Sequence, residues 1–274
     1  LMKSGSGERG IFNRGGIAAT LPKRRADYFK KVGFIGENGV IHGSIGVNPC
    51  AEIILQSKQF CNLSEIIARV YDTESSLLRK ARIASILGTY QSTLTKFGYI
   101  SKDWADHCAA ERLMGVSITG QWDSPVARQV EVLRKIRDMA IKTNATYAKR
   151  FGIERSLAVT AVKPSGTVSQ TFNCASGIHP CHAPYYIRRV RINATDSLFK
   201  MLRDQGMPYY PEVGQSMEEA NTFVFEFPVK APDHSKEARF KDDLSALEQL
   251  EYWKMVKLNY TEHNPSATVS VGED

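Results

Sequence analysis

A nearly continuous apolar run at 157–162 (LAVTAV) ends directly in the sequence KPSGT at 163–167. A run without polar alternation is typical of a strand buried on both faces, as in a parallel sheet covered by helices. The proline and glycine that follow end the strand, and the next residues open a helical stretch. This succession of strand, turn and helix predicts an α/β fold with parallel pairing.

Helical and strand patterns alternate along the rest of the chain. Amphipathic spacing predicts helices, and short apolar or alternating runs predict strands. Residues 63–71 fit either a strand or the start of a helix. The predicted helices lie at 26–32, 75–97, 102–113, 125–151, 197–205 and 244–262, and the predicted strands at 114–118, 157–162, 185–192, 222–227 and 267–271.

Composition excludes some classes of protein. Of the 274 residues, 42% are hydrophobic and 24% are charged, as in an ordinary globular protein. No run approaches the roughly 18–20 apolar residues of a membrane span, so no membrane partner is expected. The net charge of +7 suits an anionic partner such as a nucleotide, and solvated lysines explain it equally well. A nucleic-acid-binding domain is the weaker alternative, because the basic residues are spread out and form no recognisable module.

The chain has five cysteines, an odd number, with no Cys-x-x-Cys pair. In a chain of this length the pattern predicts reduced thiols and a cytoplasmic location. Cys174, His179, Cys181 and His182 lie close together in the sequence. Their spacing fits no standard zinc pattern, so packing or surface roles are favoured and no metal is predicted.

Asn48, Cys50, Glu52 and Cys61 place a carboxamide, two thiols and a carboxylate within fourteen residues. Pro49 restricts the residue before it and has no N–H to give to a sheet, so a tight loop or strand entry is predicted. If Glu52 opens an extended run, Cys50 and Glu52 point to the same side about 7 Å apart and reach opposite ends of one small substrate. The alternative is a buried free cysteine beside a solvated glutamate.

The string NPCAEI at 48–53, with CNL at 61–63, resembles the finger loop of ribonucleotide reductases, which here would span 46–64. The resemblance is closest to the adenosylcobalamin-dependent (class II) group, particularly its monomeric triphosphate reductases. Other similar segments follow in the family's order: KSGSGERGIFN at 3–13, the phosphate loop KPSGTVS at 163–169, ASGIHP at 175–180 and YYIRRVR at 185–191.

This resemblance implies a ten-stranded α/β barrel made from two five-stranded halves, with the finger loop through its centre. The whole chain, 1–274, would be a partial catalytic barrel that supplies the finger and the second half. The chain begins with leucine and no closing element follows its last strand pattern, so we expect a fragment of a longer protein. The N-terminal half would lie upstream or on a partner chain.

The resemblance also implies a reaction, the reduction of ribonucleoside di- or triphosphates to deoxyribonucleotides with adenosylcobalamin. Cys50 would carry a thiyl radical that abstracts a ribose hydrogen, and Glu52 would act as general base on the 3′-hydroxyl. Asn48 would orient the sugar hydroxyls. Cys61 would form a disulfide with a cysteine upstream of this chain, which a thioredoxin-like thiol reductant would reopen.

The same resemblance assigns the substrate's phosphates to the segment after the buried strand. Backbone N–H groups at a helix start, together with hydroxyls, are suited to bind phosphate. A plain helix cap is the alternative. The residues concerned are Pro164, Ser165, Gly166, Thr167, Val168 and Ser169.

Two hypotheses compete with an active reductase. The first is a catalytically silent fragment or subunit that binds nucleotide and needs a missing N-terminal half. The second is the basic nucleic-acid-binding domain already mentioned.

Overall fold

The computed structural model describes residues 10–232 and 238–271. Most of the similar segment predicted at 3–13 therefore lies outside the described residues. The helices are α1 (Ile17–Thr20), α2 (Lys23–Lys31), α3 (Glu74–Gln91), α4 (Lys102–Glu111), α5 (Val130–Phe151), α6 (Gly166–Thr171), α7 (Ser197–Asp204) and α8 (Ala246–Asn259). The strands are β1 (Ile45–Val47), β2 (Ile54–Gln56), β3 (Asn62–Ile67), β4 (Met114–Thr119), β5 (Tyr185–Asn193), β6 (Tyr209–Pro211) and β7 (Thr222–Lys230). In those ranges, no helix is both long and apolar enough to cross a bilayer.

Four parallel segments form the centre of the fold. Strand β3 pairs with β4 in parallel over its whole length, so the ambiguous segment at 63–71 begins as a strand. The run at 157–162 lies on the other side of β4 through a parallel bridge between Val116 and Thr160. A parallel bridge between Val162 and Pro265 adds a fourth segment. This confirms the prediction of an α/β fold with parallel pairing.

The central segments are buried on both faces, as the apolar run predicts. Every residue from 158 to 162 has 0% exposure, and β4 is buried throughout. Helices α3 and α5 cover the segments with small and aliphatic side chains, among them Leu77, Ala81, Ile136 and Ala140. The Tyr260 hydroxyl donates a 2.6 Å hydrogen bond to the Val116 carbonyl, which ties the end of α8 to β4.

The strand predicted at 267–271 is wrong. The Thr268 N–H donates to the His179 ring, and the Ser270 N–H donates to the Gln249 carboxamide. These backbone donors are bound by side chains, so they are not available for a sheet ladder.

The segment predicted as a strand at 157–162 is extended and buried, but in the described part of the chain it pairs only through the isolated bridges at Thr160 and Val162. The other predicted helices and strands form, and their ends move by one to several residues.

A second hydrophobic cluster lies in the antiparallel sheet β5–β7–β6 and helix α7. Phe199 of α7 stacks on Phe223 of β7, with ring centroids 4.8 Å apart. The basic strand predicted at 185–192 is β5, and its arginines alternate between faces. Arg189 and Arg191 point outward and form ion pairs with Glu226 and Glu212, which agrees with the interpretation of a salt-bridged face.

A buried ion pair joins the N-terminal helices to the rest of the molecule. The Arg25 and Glu111 side chains both have 0% exposure, and the Arg25 Nε lies 2.6 Å from a Glu111 carboxylate oxygen. The carboxamides of Gln56 and Gln59 donate to the same carboxylate at 3.1 and 2.9 Å. One carboxylate thus holds together α2, α4 and the base of the β1–β2 hairpin.

Substitution of one partner is expected to destabilise the fold strongly. Glu111→Gln leaves the Arg25 charge buried without compensation, which costs about 3–5 kcal/mol of the free energy of unfolding. The double variant Arg25→Met/Glu111→Leu is expected to recover most of this loss. Urea denaturation followed by circular dichroism measures both. Asp27→Asn, which removes the exposed Lys23–Asp27 pair, is the matched control and is expected to leave the midpoint unchanged.

Candidate functional site

The sequence NPCAEI forms the tip of a β-hairpin. Strands β1 and β2 pair antiparallel, and Val47 lies opposite Ile54. The Asn48 side-chain oxygen accepts a 2.9 Å hydrogen bond from the Ile53 N–H, and the Asn48 carbonyl accepts one from Ala51 at 2.8 Å. The tight loop predicted from Pro49 is therefore present, and Asn48 closes it.

Cys50 and Glu52 do not share one face of an extended strand, as the conditional prediction required. Strand β2 begins only at Ile54, and Ala51 has a left-handed φ of 59° between the two residues. Cys50 is exposed, whereas Glu52 is only 2% exposed. The period-two argument does not apply because a turn separates them.

Glu52 is anchored through its backbone and has a free carboxylate oxygen. Its carbonyl accepts a 2.9 Å hydrogen bond from the Asn264 N–H. Among the described residues, its buried Oε2 has no hydrogen-bond partner. An unpaired buried carboxylate oxygen is costly, and it is also an acceptor available to a ligand hydroxyl.

Cys50 lies at the edge of an open cleft of about 630 Å³. The opposite walls come from the segment before α2 and from the chain after α8. The residues that contribute include Ile11, Phe12, Asn13, Thr20, Trp253, Asn264, Pro265 and Ser266. The cleft gives a ligand direct access to the Cys50 sulfur.

Cys61 lies near the buried Glu52 carboxylate, on the side of the hairpin that faces the protein interior. This side is called the inner side. Its Sγ is 4.0 Å from the His263 Nε2, and that nitrogen is 2.9 Å from the Met114 carbonyl oxygen. Burial raises the pKa of the Cys61 thiol far above its usual range; the Arg25 guanidinium lowers it, and the Glu52 carboxylate raises it. Cys61 is thus held mainly as a thiol in a site where its thiolate is disfavoured.

The loop at 163–169 keeps part of its polar surface for internal bonds. Ser165 has a φ of 57°, and its hydroxyl donates to the Glu65 carboxylate. The Ser169 hydroxyl is 2.6 Å from that of Ser176. The exposed residues of the loop are Gly166 and Thr167, at the start of α6. The two serine hydroxyls are therefore engaged within the protein, contrary to the expectation that they add phosphate donors.

The tip of the β1–β2 hairpin and the end of the run that precedes the loop at 163–169 both contact the segment 264–266. The Asn264 N–H binds the Glu52 carbonyl, and Pro265 forms the bridge to Val162 directly before the loop. The Ser266 N–H donates to the Val162 carbonyl at 2.9 Å. The two motifs, more than a hundred residues apart in sequence, therefore flank one short segment.

Around Cys174, His179 and Cys181 the structure has no metal-ligand geometry. In the described part of the chain, no three His, Cys, Asp or Glu side chains are arranged to hold a metal ion. The His179 Nε2 accepts from the Thr268 N–H and its Nδ1 donates to the Ser176 carbonyl, so neither nitrogen is free. Burial, with Asp123 nearby, raises the pKa of Cys174 to about 11 and that of Cys181 to about 12.

Three residues of this region had no signal in the sequence. Glu65 accepts a hydrogen bond from Ser165 of the loop at 163–169, and Glu111 accepts one from Gln59, next to the hairpin. The third residue, His263, contacts Cys61. His263 follows a helix within a run of polar residues, a pattern typical of a surface loop. Only its 3% exposure marks it as part of the site.

Two curated proteins illustrate what the chain is similar to. It is 27% identical over 268 residues to an adenosylcobalamin-dependent ribonucleoside-triphosphate reductase of Levilactobacillus brevis, a match that covers 85% of this chain and 34% of the relative. It is 26% identical over 239 residues to a probable reductase of the same name from Dictyostelium discoideum, covering 83% and 29%. The chain spans about a third of the length of the curated relatives it matches. No family model matches the chain.

Two solved structures share the fold. The chain matches a B12-dependent (class II) ribonucleotide reductase with a TM-score of 0.64 and 23% identity, over 82% of this chain and 35% of that one. It matches the class Id ribonucleotide reductase alpha subunit of Actinobacillus ureae with a TM-score of 0.57 and 17% identity, over 96% and 55%. The chain therefore shares the α/β fold of the matched parts of these two reductases.

Among ribonucleotide reductases, the sequence comparison gives similarity to one named group. The chain is similar to the adenosylcobalamin-dependent ribonucleoside-triphosphate reductases, which confirms the resemblance inferred from its motifs.

The structure predicts that Cys50 is the first of the five cysteines to react with an alkylating reagent. It is exposed, whereas burial raises the pKa of Cys61, Cys108, Cys174 and Cys181. Iodoacetamide at pH 8, followed by peptide mapping, is expected to label Cys50 at least about tenfold faster than the others. In guanidinium the five rates should converge, and faster labelling of Cys61 in the folded chain would contradict the geometry.

Proposed function

We propose that this chain is the finger-bearing part of an adenosylcobalamin-dependent ribonucleotide reductase, which reduces ribonucleotides to deoxyribonucleotides through a thiyl radical on Cys50. The observation that carries the proposal is the hairpin tip. It presents Cys50 to an open cleft and carries the unpaired Glu52 carboxylate oxygen, and the Cys61 thiol lies near that carboxylate.

Each side chain has a defined part in the proposed reaction. A thiyl radical on Cys50 takes the 3′ hydrogen of the ribose, because S–H and activated C–H bonds have similar strengths. Glu52 accepts the proton of the 3′-hydroxyl, and its free Oε2 has the hydrogen-bonding capacity for this. The Asn48 oxygen is engaged with Ile53, so its NH2 group is the part that would bind a sugar hydroxyl.

The reducing electrons come from two thiols. One of the two thiols protonates the departing 2′-hydroxyl, which leaves as water, and the pair delivers the second hydrogen to the 2′ carbon. Cys61 and a cysteine upstream of this chain are thereby oxidised to a disulfide, and Cys50 returns its hydrogen to the 3′ carbon, which restores the thiyl radical. A thiol reductant of the thioredoxin kind then reduces the disulfide by exchange. All five cysteines of the chain are free, which supports a cytoplasmic location with reducing conditions.

The substrate's phosphates are proposed to bind at 164–169. The support is the exposure of Gly166 and Thr167 at the start of α6, where the first backbone N–H groups have no acceptor within the helix. Ser165 and Ser169 would hold the shape of the loop, because their hydroxyls are engaged with Glu65 and Ser176. Pro164 and Val168 are half-buried and contribute backbone geometry.

Adenosylcobalamin is proposed as the source of the radical because the curated relatives carry it in their names. When bound, it supplies a carbon-centred radical that protein side chains cannot generate alone. The chain fits this use in one respect, since Cys50 is exposed at an open cleft that a large group can approach. The fold also matches a class Id subunit, so sequence similarity favours this cofactor and the fold does not choose it.

A complete ten-stranded barrel, with the finger through its centre, is proposed to need an N-terminal half. In the described residues β3 pairs only with β4, so its other edge is free. Beside that edge is an apolar groove of about 470 Å³ formed with Ile83 and Leu87 of α3. The missing half, upstream or on a partner chain, would cover this groove and supply the cysteine that pairs with Cys61.

A silent nucleotide-binding fragment remains the second candidate. The observation that favours it is the different exposure of Cys50 and Glu52 in this chain alone. Unless another part of the protein encloses Cys50, the two groups do not act on one sugar.

Turnover that depends on Cys50 tests the first candidate. The chain is mixed with adenosylcobalamin, a dithiol and a ribonucleoside di- or triphosphate, with and without the N-terminal half of a similar reductase. We expect deoxynucleotide only in the reconstituted mixture, none with Cys50→Ser, and normal product with Cys108→Ala, a matched change of a buried cysteine outside the site. Retained nucleotide binding without product in every mixture would establish the silent fragment.

Glu52→Gln is expected to bind nucleotide normally and to lose turnover. The amide keeps the size of the side chain but cannot accept the proton, and loss of a general base costs about 10²–10⁴-fold in rate. Turnover number and nucleotide dissociation constant are measured in the same reconstituted mixture. Full turnover in this variant would exclude the general-base role.

A further inference from the structure

Glu262, His263 and Asn264, which follow α8, each contact a different segment around Cys61 and Glu52. Glu262 forms two 2.5 Å hydrogen bonds with the Arg24 guanidinium and accepts one from the Val159 N–H. The His263 ring contacts β4 and Cys61, and the Asn264 N–H holds the finger tip at Glu52. The His263 ring is therefore fixed from both sides by its neighbours in the chain.

The position of the proton on His263 follows from its partners. The Met114 carbonyl oxygen only accepts hydrogen bonds, so the Nε2 atom 2.9 Å away carries a hydrogen. The contact from Nε2 to the Cys61 Sγ at 4.0 Å is then an N–H···S contact in which sulfur is the acceptor. Burial, together with the Arg25 charge, lowers the pKa of His263 well below its usual value, so the ring is neutral.

We propose that His263 is a positioning residue for Cys61. Its fixed Nε2–H, shared between the Met114 carbonyl and the Cys61 sulfur, orients that sulfur and stabilises the thiolate formed when a disulfide at this position opens. This inference rests on the redox role of Cys61 in the proposed function.

Reduction of the disulfide at Cys61 explains why an N–H donor beside this sulfur is useful. The thiolate of an external dithiol attacks the sulfur bonded to Cys61, a new S–S bond forms, and the old bond breaks. Its electron pair leaves on the Cys61 Sγ, which becomes a thiolate before it takes a proton. The Glu52 and Glu111 carboxylates disfavour negative charge at this sulfur, so a fixed N–H is favourable.

The Cys61 sulfur also lies beside β4. A Cβ added at Gly115 would be 3.6 Å from the Cys61 Sγ, an ordinary van der Waals distance, and 2.5 Å from a Leu63 methyl. The glycine therefore makes room for Leu63, while the sulfur lies within contact distance of β4. The His263 ring is 3% exposed, so water does not replace its N–H.

Alkylation of Cys61 in the intact chain tests the role of the donor. His263→Leu removes the N–H, whereas His263→Gln keeps an N–H donor. With Leu we expect Cys61 to react with iodoacetamide about threefold to fivefold more slowly between pH 8 and 9.5, because a higher thiol pKa outweighs the gain in nucleophilicity. With Gln the rate should stay within about twofold of the parent.

Cys174 in the same molecule is the reference thiol. It is buried, has a raised pKa and has no contact with His263, so the ratio of the two rates cancels any change in opening of the fold. An unchanged ratio in His263→Leu, or equal slowing by Leu and Gln, would overturn the proposal.

A second measurement applies even if His263→Leu does not fold. In the chain labelled with ¹⁵N-histidine, the Nε2 proton resonance of His263 is compared with that of Cys61→Ala. We expect a shift, since the N–H loses one of its two acceptors, and an unchanged resonance would overturn the proposal. Neither measurement needs turnover. A negative result for His263 therefore says nothing about product formation that depends on Cys50. Absence of that product would refute the proposed function independently.

Discussion

The position of the β1–β2 hairpin depends on the buried carboxylate of Glu111. Arg25 of α2 and the carboxamides of Gln56 and Gln59 donate to it, and the ion pair is completely buried. A buried charge is tolerated only when donors surround it. The N-terminal helix, the hairpin base and the end of α4 therefore have one mutual arrangement that satisfies this group, and the hairpin tip is placed by that arrangement.

The inner and outer sides of the tip are built differently. On the inner side, the Asn264 N–H donates to the Glu52 carbonyl, and the His263 ring lies 4.0 Å from the Cys61 sulfur. On the outer side, Cys50 faces an open cleft. A site for chemistry needs its groups held by packed elements. The chain spans about a third of the length of its curated relatives, and among the described residues β3 pairs with β4 on one edge only.

The loop at 163–169 contains both buried residues with internal hydrogen bonds and exposed residues. Ser165 and Ser169 are buried and bonded to Glu65 and Ser176, so they hold the turn in place. Gly166 and Thr167 remain exposed. The sequence pattern predicts hydroxyl donors at Ser165, Thr167 and Ser169 alike, because it contains no information on which hydroxyls face inward.

The sequence by itself determined the α/β class, the buried segment at 157–162, the tight loop at Pro49 and the similarity to a reductase, because apolar runs, proline geometry and motif order are local properties of the chain. Tertiary structure alone decided that Glu52 is buried while Cys50 is exposed, that 267–271 is no strand, and that His263 contacts Cys61. The physical reason is the same in each case. Burial, and the partners of backbone and ring nitrogens, are set by groups distant in the sequence, such as Asn264 for Glu52 and His179 for Thr268.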